Sequence, residues 1–302
     1  MDQSVFHSFR LTMQEKKFGI FGVHVYKAGQ GTVEHRFRCD DRVIQHSVSK
    51  TFTSVGVGIA QQEGLLCLDD TLLSFFPEYE DVAAPGTEEI TIKNLLQMSS
   101  GKDIFWCEPE DEKEMDAAEI FIRLPLARKV GKTFWYSNYC SYMLGRIIEK
   151  RSGQILRNYL DERLFEPLDI FNPQWHTCLR GHTIGATGLY LTTSEISKLG
   201  QMLLHKGEYQ GKRILNEEYI AKMSGDILDT GGRFLSDSES VNGYGYHVWN
   251  CSRPGVYRAD GKYGQFVIIF PDEEVVVSIN SHHETGDNDM ILAVYEDILP
   301  LL

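Results

Sequence analysis

A chain of 302 residues with 42% hydrophobic and 24% charged residues is long enough for one large or two ordinary domains and is neither disordered nor fibrous. Its formal net charge of −13 argues against a nucleic-acid partner, because affinity for a polyanion comes largely from Lys and Arg neutralising phosphates. Much of the acidic excess falls in residues 78–81 and 108–114, which read as solvated loops and helix faces.

The N-terminal "MDQSVFHSFRLTMQEKK" predicts an amphipathic helix with Val5, Phe6, Phe9 and Met13 along one side. It lacks the continuous apolar core of a secretory signal, and no run approaches the roughly 18 apolar residues of a bilayer span. Residues 18–42 alternate as strands do: "FGIFGVHVY", a Gly-bearing turn at 27–31, then "TVEHRFRC", which together predict a hairpin. Residues 47–64 switch to helical spacing, with Val48, Phe52, Val55 and Ile59 on one face. Helical texture continues to about residue 180, in "TIKNLLQMSSG" and "YCSYMLGRIIEKRSG", each stopped by a glycine near its C-terminus. The C-terminal third returns to strands in "YGYHVWNC", "GVYRADG", "QFVIIF" and "VVVSIN", with the turn "PDEE" between the last two and a final helix in "NDMILAVYEDILPLL". Strands at both ends and helices between them predict a mixed α/β (α+β) chain with one antiparallel sheet built from both termini. Residues 1–45 plus 180–302 then form a discontinuous sheet domain, and residues 46–179 an inserted, mainly helical one. Six cysteines, at 39, 67, 107, 140, 178 and 251, include no Cys-x-x-Cys and no His at zinc spacing. They read as reduced thiols of a cytoplasmic protein with no metal and no cofactor.

Two Ser-x-x-Lys matches occur, Ser47–Lys50 and Ser99–Lys102. With Ser and Lys each roughly one residue in sixteen, about one match is expected by chance, so context decides. Ser47 opens a helix, where unpaired N–H groups and the positive dipole end favour a developing negative charge. Lys50 lies one turn on, within reach of the Ser47 hydroxyl, and becomes a base once desolvation lowers its pKa. Gly56 and Gly58 cost that helix roughly 1 kcal/mol each, which fits a buried helix approached closely from several sides. Ser99 instead ends the run "IKNLLQM", with Gly101 as the expected stop. That serine faces unpaired carbonyls, a poor place for an oxyanion.

A serine–lysine pair also needs a proton carrier and an oxyanion hole. Tyr136-Ser137-Asn138, just ahead of a helical run, supplies a tyrosine to shuttle protons and an asparagine to bond the lysine or a substrate carbonyl. Taken in order, Ser-x-x-Lys opening a buried helix, Tyr-x-Asn, and a later strand motif ending in Gly resemble the serine β-lactamase and penicillin-binding-protein family, in its class C and esterase-like branch. The likeness covers nearly the whole chain, including "IKNLLQMSSG" and "GATGLYLTTSEISKLGQMLLHKGEYQGKRIL". It implies a transpeptidase-like fold with a five-stranded antiparallel sheet flanked by helices, and an active site in the cleft beside the helical domain. The third motif departs from the family's Lys-Thr-Gly or His-x-Gly. Residues 259–265 read Ala-Asp-Gly-Lys-Tyr-Gly-Gln, closer to nylon-oligomer hydrolases.

The resemblance implies catalytic Ser47, Lys50 and Tyr136. It also implies oxyanion donors in the backbone N–H groups of Ser47 and Lys262, and substrate contacts at Asn138, Ala259, Gly261 and Trp106. With Ala259 in place of a cation, and with Arg258 and Lys262 turned to the opposite face by strand alternation, the pocket lacks a side chain suited to a substrate carboxylate. The expectation is therefore a serine hydrolase acting on small ester or amide substrates, with weak or no β-lactamase activity. Its alternatives are a D-amino-acid peptidase or amidase, a β-lactamase of the same family, or a non-catalytic binding protein. Oligomeric state is left open. Two other constellations fall away. His46 precedes the helix and is expected to point elsewhere. The cluster "SHHETGDND" places two histidines side by side, where they do not readily share one ion.

Overall fold

The computed structural model describes residues 1–106, 113–231, 238–284 and 287–302. Cys107, most of the second acidic stretch and part of the His-rich segment lie outside them.

A short 3₁₀ turn, Gln3–Phe6, is capped by the Asp2 side chain and runs into α1, His7–Lys16. Val5, Phe6, Phe9 and Met13 are buried, as their spacing predicts. β1 (Ile20–Lys27) and β2 (Gly31–Arg36) form the expected hairpin, with Val25 opposite Val33. β3 (Val43–Gln45) leads directly into α2 (Val48–Gln62). Then come α3 (Ile92–Leu96), α4 (Ala117–Arg123) and α5 (Asn138–Ser152). Gly153, in the left-handed region at φ 73°, ends α5 as expected. β4 (Leu189–Leu191) pairs with β3, and α6 (Thr193–Leu204) starts with a capping box between Thr192 and Glu195.

After α6 come the two-residue strands β5 (Glu208–Tyr209) and β6 (Lys212–Arg213), then α7 (Glu217–Gly225). The chain closes with β7 (Trp249–Asn250), β8 (Tyr257–Gly261), β9 (Gln265–Phe270), β10 (Val275–Ser281) and α8 (Asp287–Ala293). The main sheet is antiparallel, in the order β2-β1-β10-β9-β8-β7. It has six strands where five were expected. The edge strand β7 is what remains of "YGYHVWNC", because His247 at φ 57° breaks the extended backbone ahead of it.

Both faces of the sheet are covered. Phe266, Ile268 and Phe270 join Val25, Val277, Phe9 and Met290 in one core, while Val267 and Ile269 join Val48, Phe52 and Leu199 in the other. That two-sided burial explains the unbroken apolar run "QFVIIF", in which alternate residues serve different cores. No described helix is long and apolar enough to cross a membrane.

α2 is buried from Val48 to Ala60. Its glycines sit at close approaches: a Cβ on Gly56 would lie 3.2 Å from Leu160 Cδ2, and one on Gly58 2.6 Å from the Tyr219 ring. Gly58→Ala gains up to ~1 kcal/mol of helix propensity but overpacks this contact at a cost of ~1–3 kcal/mol. We expect a net loss of about 1 kcal/mol in urea unfolding of that variant. A gain would show that the Tyr219 ring yields at no cost.

Candidate active site

Ser47 stands at the N-cap of α2 with φ −73° and ψ −7°, and its side chain makes no capping hydrogen bond. The hydroxyl is therefore free to meet Lys50 one turn on. Lys50 is 1% exposed, yet among the described residues no carboxylate pairs with it. Its Nζ lies 2.9 Å from Ser47 Oγ, 2.7 Å from Asn138 Oδ1 and 2.8 Å from the Ala186 carbonyl oxygen. Burial pushes the Lys50 pKa down to about 7, opposed weakly by Cys140. The three partners differ in kind. Asn138 Oδ1 and Ala186 O can only accept, so a neutral amine spends its two N–H bonds on them. Its lone pair is then left for the Ser47 O–H, the one partner able to reverse the bond.

The loop ahead of α5 supplies the next group. Ser137 Oγ donates to Ile104 O at 2.6 Å and Asn138 N–H to Phe105 O at 2.9 Å, so residues 104–105 hold this turn in place. Tyr136 lies with its ring centroid 5.0 Å from Lys50 Nζ, stacked on Trp249 and edge-on to Tyr244. Burial drives the Tyr136 hydroxyl well above the usual phenol range. A hydrogen bond with Ser47 pulls it back, and the Asp260 charge adds to the rise. The phenol is protonated at neutral pH.

The β8–β9 turn faces these groups. Ala259 is fully buried in the core that contains Val48 and offers no cation. Arg258, 1% exposed, points away: its guanidinium binds Asp260 Oδ2 at 2.8 Å, Glu239 O at 2.6 Å and Ser240 Oγ at 3.0 Å. The Lys262 ammonium lies 4.5 Å from the Tyr263 ring centroid. Gly261 is required by space, since a Cβ there would lie 2.7 Å from Gln265 Oε1 and 3.2 Å from Val48 Cγ2. Among the described residues, neither the Ser47 nor the Lys262 backbone N–H has an acceptor. Two free N–H groups of this kind suit a developing oxyanion.

Ser47, Lys50, Tyr136 and Asn138 thus come together. Trp106 is half-buried, and its ring packs on Tyr139 (4.7 Å) and Tyr142 (5.4 Å) at the edge of the helical core. Its neighbour Phe105 is the one that stacks on Tyr136, and it is 58% exposed. His46 sets its ring edge against Tyr263. His282 stacks on Tyr263 and His283 meets Phe18 edge-on, and among the described residues no metal-holding cluster forms. Ala186 O and Gln265 went unnoticed as site partners. A carbonyl carries no side-chain signal, and Gln265 was visible as part of the third motif without any indication of what its amide does.

The second Ser-x-x-Lys serves structure. α3 ends at Leu96, and the left-handed residue after it is Met98 (φ 56°), with Gly101 forming a later turn against Arg128 O. Lys102 is buried, and its ammonium donates to Thr87 Oγ1, Ile122 O and Leu124 O, capping carbonyls at the end of α4. Ser99 Oγ donates to Asn94 O at 3.2 Å.

The chain belongs to the beta-lactamase family: a family model described as Beta-lactamase matches residues 19–299. It is 26% identical over 193 residues to a lovastatin esterase of Penicillium rubens, covering 56% of this chain and 48% of that one. The chain spans about half the length, or less, of the curated relatives it matches. Among solved structures, a Bacillus anthracis protein provisionally described as a 6-aminohexanoate-dimer hydrolase superposes with a TM-score of 0.78 at 21% identity, over 95% of this chain and 80% of that one. EstCE1, a hydrolase with promiscuous acyltransferase activity, superposes with a TM-score of 0.76 at 15% identity, over 98% of each chain. These structural likenesses establish the beta-lactamase/transpeptidase-like fold.

The two lysines make a paired test. Lys102→Met strands the Leu124 carbonyl, while Ile122 O keeps the Ala84 N–H and the Thr87 hydroxyl as donors, and one group left unsatisfied costs ~1–3 kcal/mol. We expect it to lower stability by about 2 kcal/mol while the folded protein keeps its reactivity toward a fluorophosphonate. Lys50→Met leaves Asn138 Oδ1 and Ala186 O without their donor and should, in the folded protein, lose that reactivity by at least tenfold. Thermal melts and labelling rates of both variants check this.

Proposed function

We propose that this member of the beta-lactamase family is a serine hydrolase that cleaves small neutral esters or amides through an acyl-enzyme on Ser47. The reading is carried by one observation above the others: a buried Lys50 amine with no counter-charge, whose lone pair is left for the Ser47 hydroxyl.

In the reaction so inferred, Ser47 Oγ attacks the substrate carbonyl carbon as its proton passes to Lys50 Nζ. The backbone N–H groups of Ser47 and Lys262 bind the oxyanion. The proton then moves through the Tyr136 hydroxyl to the leaving oxygen or nitrogen, and the C–O or C–N bond breaks. Water enters, gives a proton back along Tyr136 and Lys50, and releases the acid with Ser47 restored. Lys50 is the resting base and Tyr136 the relay, because at neutral pH the phenol holds its proton while the amine loses its own near pH 7.

The preference for neutral substrates is supported by the β8 strand and the turn after it. A β-lactam or a peptidoglycan stem carries a carboxylate. Ala259 presents a methyl group, Arg258 is committed beneath the strand to Asp260, and the Lys262 ammonium rests over Tyr263. The relatives named as a lovastatin esterase and a 6-aminohexanoate-dimer hydrolase support ester and amide chemistry on this fold.

Purified protein assayed on p-nitrophenyl esters, aminoacyl anilides and nitrocefin tests both parts. Activity needs the neutral Lys50 amine, so kcat/KM on esters should rise as pH increases through about 7 and level off above it. Ser47→Ala should cost roughly 10³-fold or more. Unchanged turnover in that variant overturns the mechanism, and nitrocefin turnover near 10⁶ M⁻¹s⁻¹ overturns the substrate preference.

A further inference from the structure

We infer that Gln265 is a positioning residue that holds the two oxyanion donors at a fixed separation. The inference rests on the proposed role of the Ser47 and Lys262 N–H groups.

Those two donors belong to parts of the fold that no strand ladder connects. Ser47 comes just after β3, which pairs with β4 in a small separate sheet, while Lys262 sits in the β8–β9 turn of the six-stranded sheet. Something else must set one against the other. Gln265, the first residue of β9 and 2% exposed, lies opposite Gly261 across the turn. Its Oε1 accepts the His46 N–H at 2.8 Å, and its Nε2 donates to Ile44 O at 2.6 Å. One primary amide thus satisfies the acceptor of residue 44 and the donor of residue 46, as the peptide group of a neighbouring strand would. It replaces a missing rung of sheet between the nucleophile's approach strand and the oxyanion turn.

Both ends of this bracket are stiff. On the Ser47 side, Ser49 Oγ donates to Gln45 O at 2.7 Å and ties the first turn of α2 to β3. The bonded His46 N–H is one peptide from the Ser47 N–H, so fixing the first leaves the second little freedom. On the Lys262 side, the turn holds left-handed Tyr263 and Gly264. Ser281 Oγ donates to Gly264 O at 2.8 Å, and His283 N–H donates to Tyr263 O at 3.1 Å. The amide crosses directly over Gly261, whose missing Cβ leaves the space that Oε1 and Cβ of Gln265 take up.

Gln265 is buried and bonded to backbone, so its effect should fall on the transition state more than on ground-state binding. A displacement of about 1 Å in such a constellation costs about 10²-fold in rate. Gln265→Leu removes both bonds. Gln265→Glu keeps the shape and the acceptor but sets a carboxylate oxygen against Ile44 O, and it carries the test where the leucine variant does not fold. In folded variants we expect kcat on p-nitrophenyl acetate to fall roughly 10–100-fold with KM changed less than threefold. Phenylboronate forms a tetrahedral adduct on a serine and uses the same two donors, so its Ki should weaken by the same factor as kcat. Gly261→Ala, which displaces the amide from the other side, should give the same pairing of losses.

Folded Gln265 variants with wild-type kcat and Ki overturn the inference, as does a fall in kcat with an unchanged boronate Ki. Wild-type protein that neither turns over the ester nor is labelled by a fluorophosphonate instead defeats the underlying hydrolase reading, before any Gln265 variant is compared.

Discussion

The constraint on which the rest depends is a lysine amine taken out of water without a counter-charge. Burying a lone ammonium is costly enough that the group gives up its proton instead, and Lys50 is brought to about 7 by burial. Lys102 shows how much the surroundings decide. It too is buried and lowered, to about 8, but its neighbours include two carbonyls that can only accept, at the end of a helix where a cation is favoured. Lys102 also has a hydroxyl partner in Thr87 Oγ1, but that hydroxyl donates to Ile122 O, whereas the Ser47 hydroxyl makes no capping bond and lies 2.9 Å from Lys50 Nζ. The same residue type in the same Ser-x-x-Lys spelling is therefore a helix cap in one place and, on the reading proposed above, a base in the other.

Holding Lys50 dry requires the architecture around it. α2 is buried along nearly its whole length because Gly56 and Gly58 let Leu156, Leu160 and the Tyr219 ring close on it. The first residue of α5 brings Asn138 Oδ1 to the amine, and His247 ties the two helices together. The His247 carbonyl accepts from Thr51 Oγ1, next to Lys50, and its ring bonds Ser141 Oγ, one turn after Asn138. Burial, with the nearby Lys50 charge adding to it, drives the His247 pKa down to about 3, so it supports the site without placing a second cation there.

Features that obey a period or a fixed spacing were legible in the residues. The helical face of Val48, Phe52 and Val55 put Ser47 at a helix start and Lys50 one turn on. Residues 136–138 just ahead of α5 identified Tyr136 and Asn138, and the strand textures anticipated β1, β2, β9 and β10. Features with no period escaped. Ala186 contributes only a backbone oxygen. Trp106 and Phe105 are adjacent in an irregular loop, and which ring turns toward Tyr136 is set by the 104–105 carbonyls bonding the α5 turn. α3 ends at Leu96, and the left-handed residue that follows it is the non-glycine Met98, while the more conspicuous Gly101 serves the next turn. The edge strand β7 is short because His247 interrupts it, which residue preferences alone do not indicate.

On the reading proposed above, the aromatic and acidic surroundings of Tyr136 favour Lys50 as the base and Tyr136 as the relay. Trp249, Tyr244 and Phe105 surround the phenol with low-polarity surface, and the negative charge of Asp260 opposes a phenolate. Every one of these influences keeps the phenol protonated, while burial alone removes the proton from Lys50. In the proposed reaction a proton leaving Ser47 passes to the amine, and the onward donor of the pair is a phenol that can give one proton while taking another. Arg258 beneath the strand fixes Asp260 in the position where it biases the phenol. Strand alternation already sets Arg258 on the face opposite Ala259, where it also binds Glu239 O and Ser240 Oγ, so on the proposed reading the residue that holds Asp260 beside the phenol is one that does not meet a substrate carboxylate.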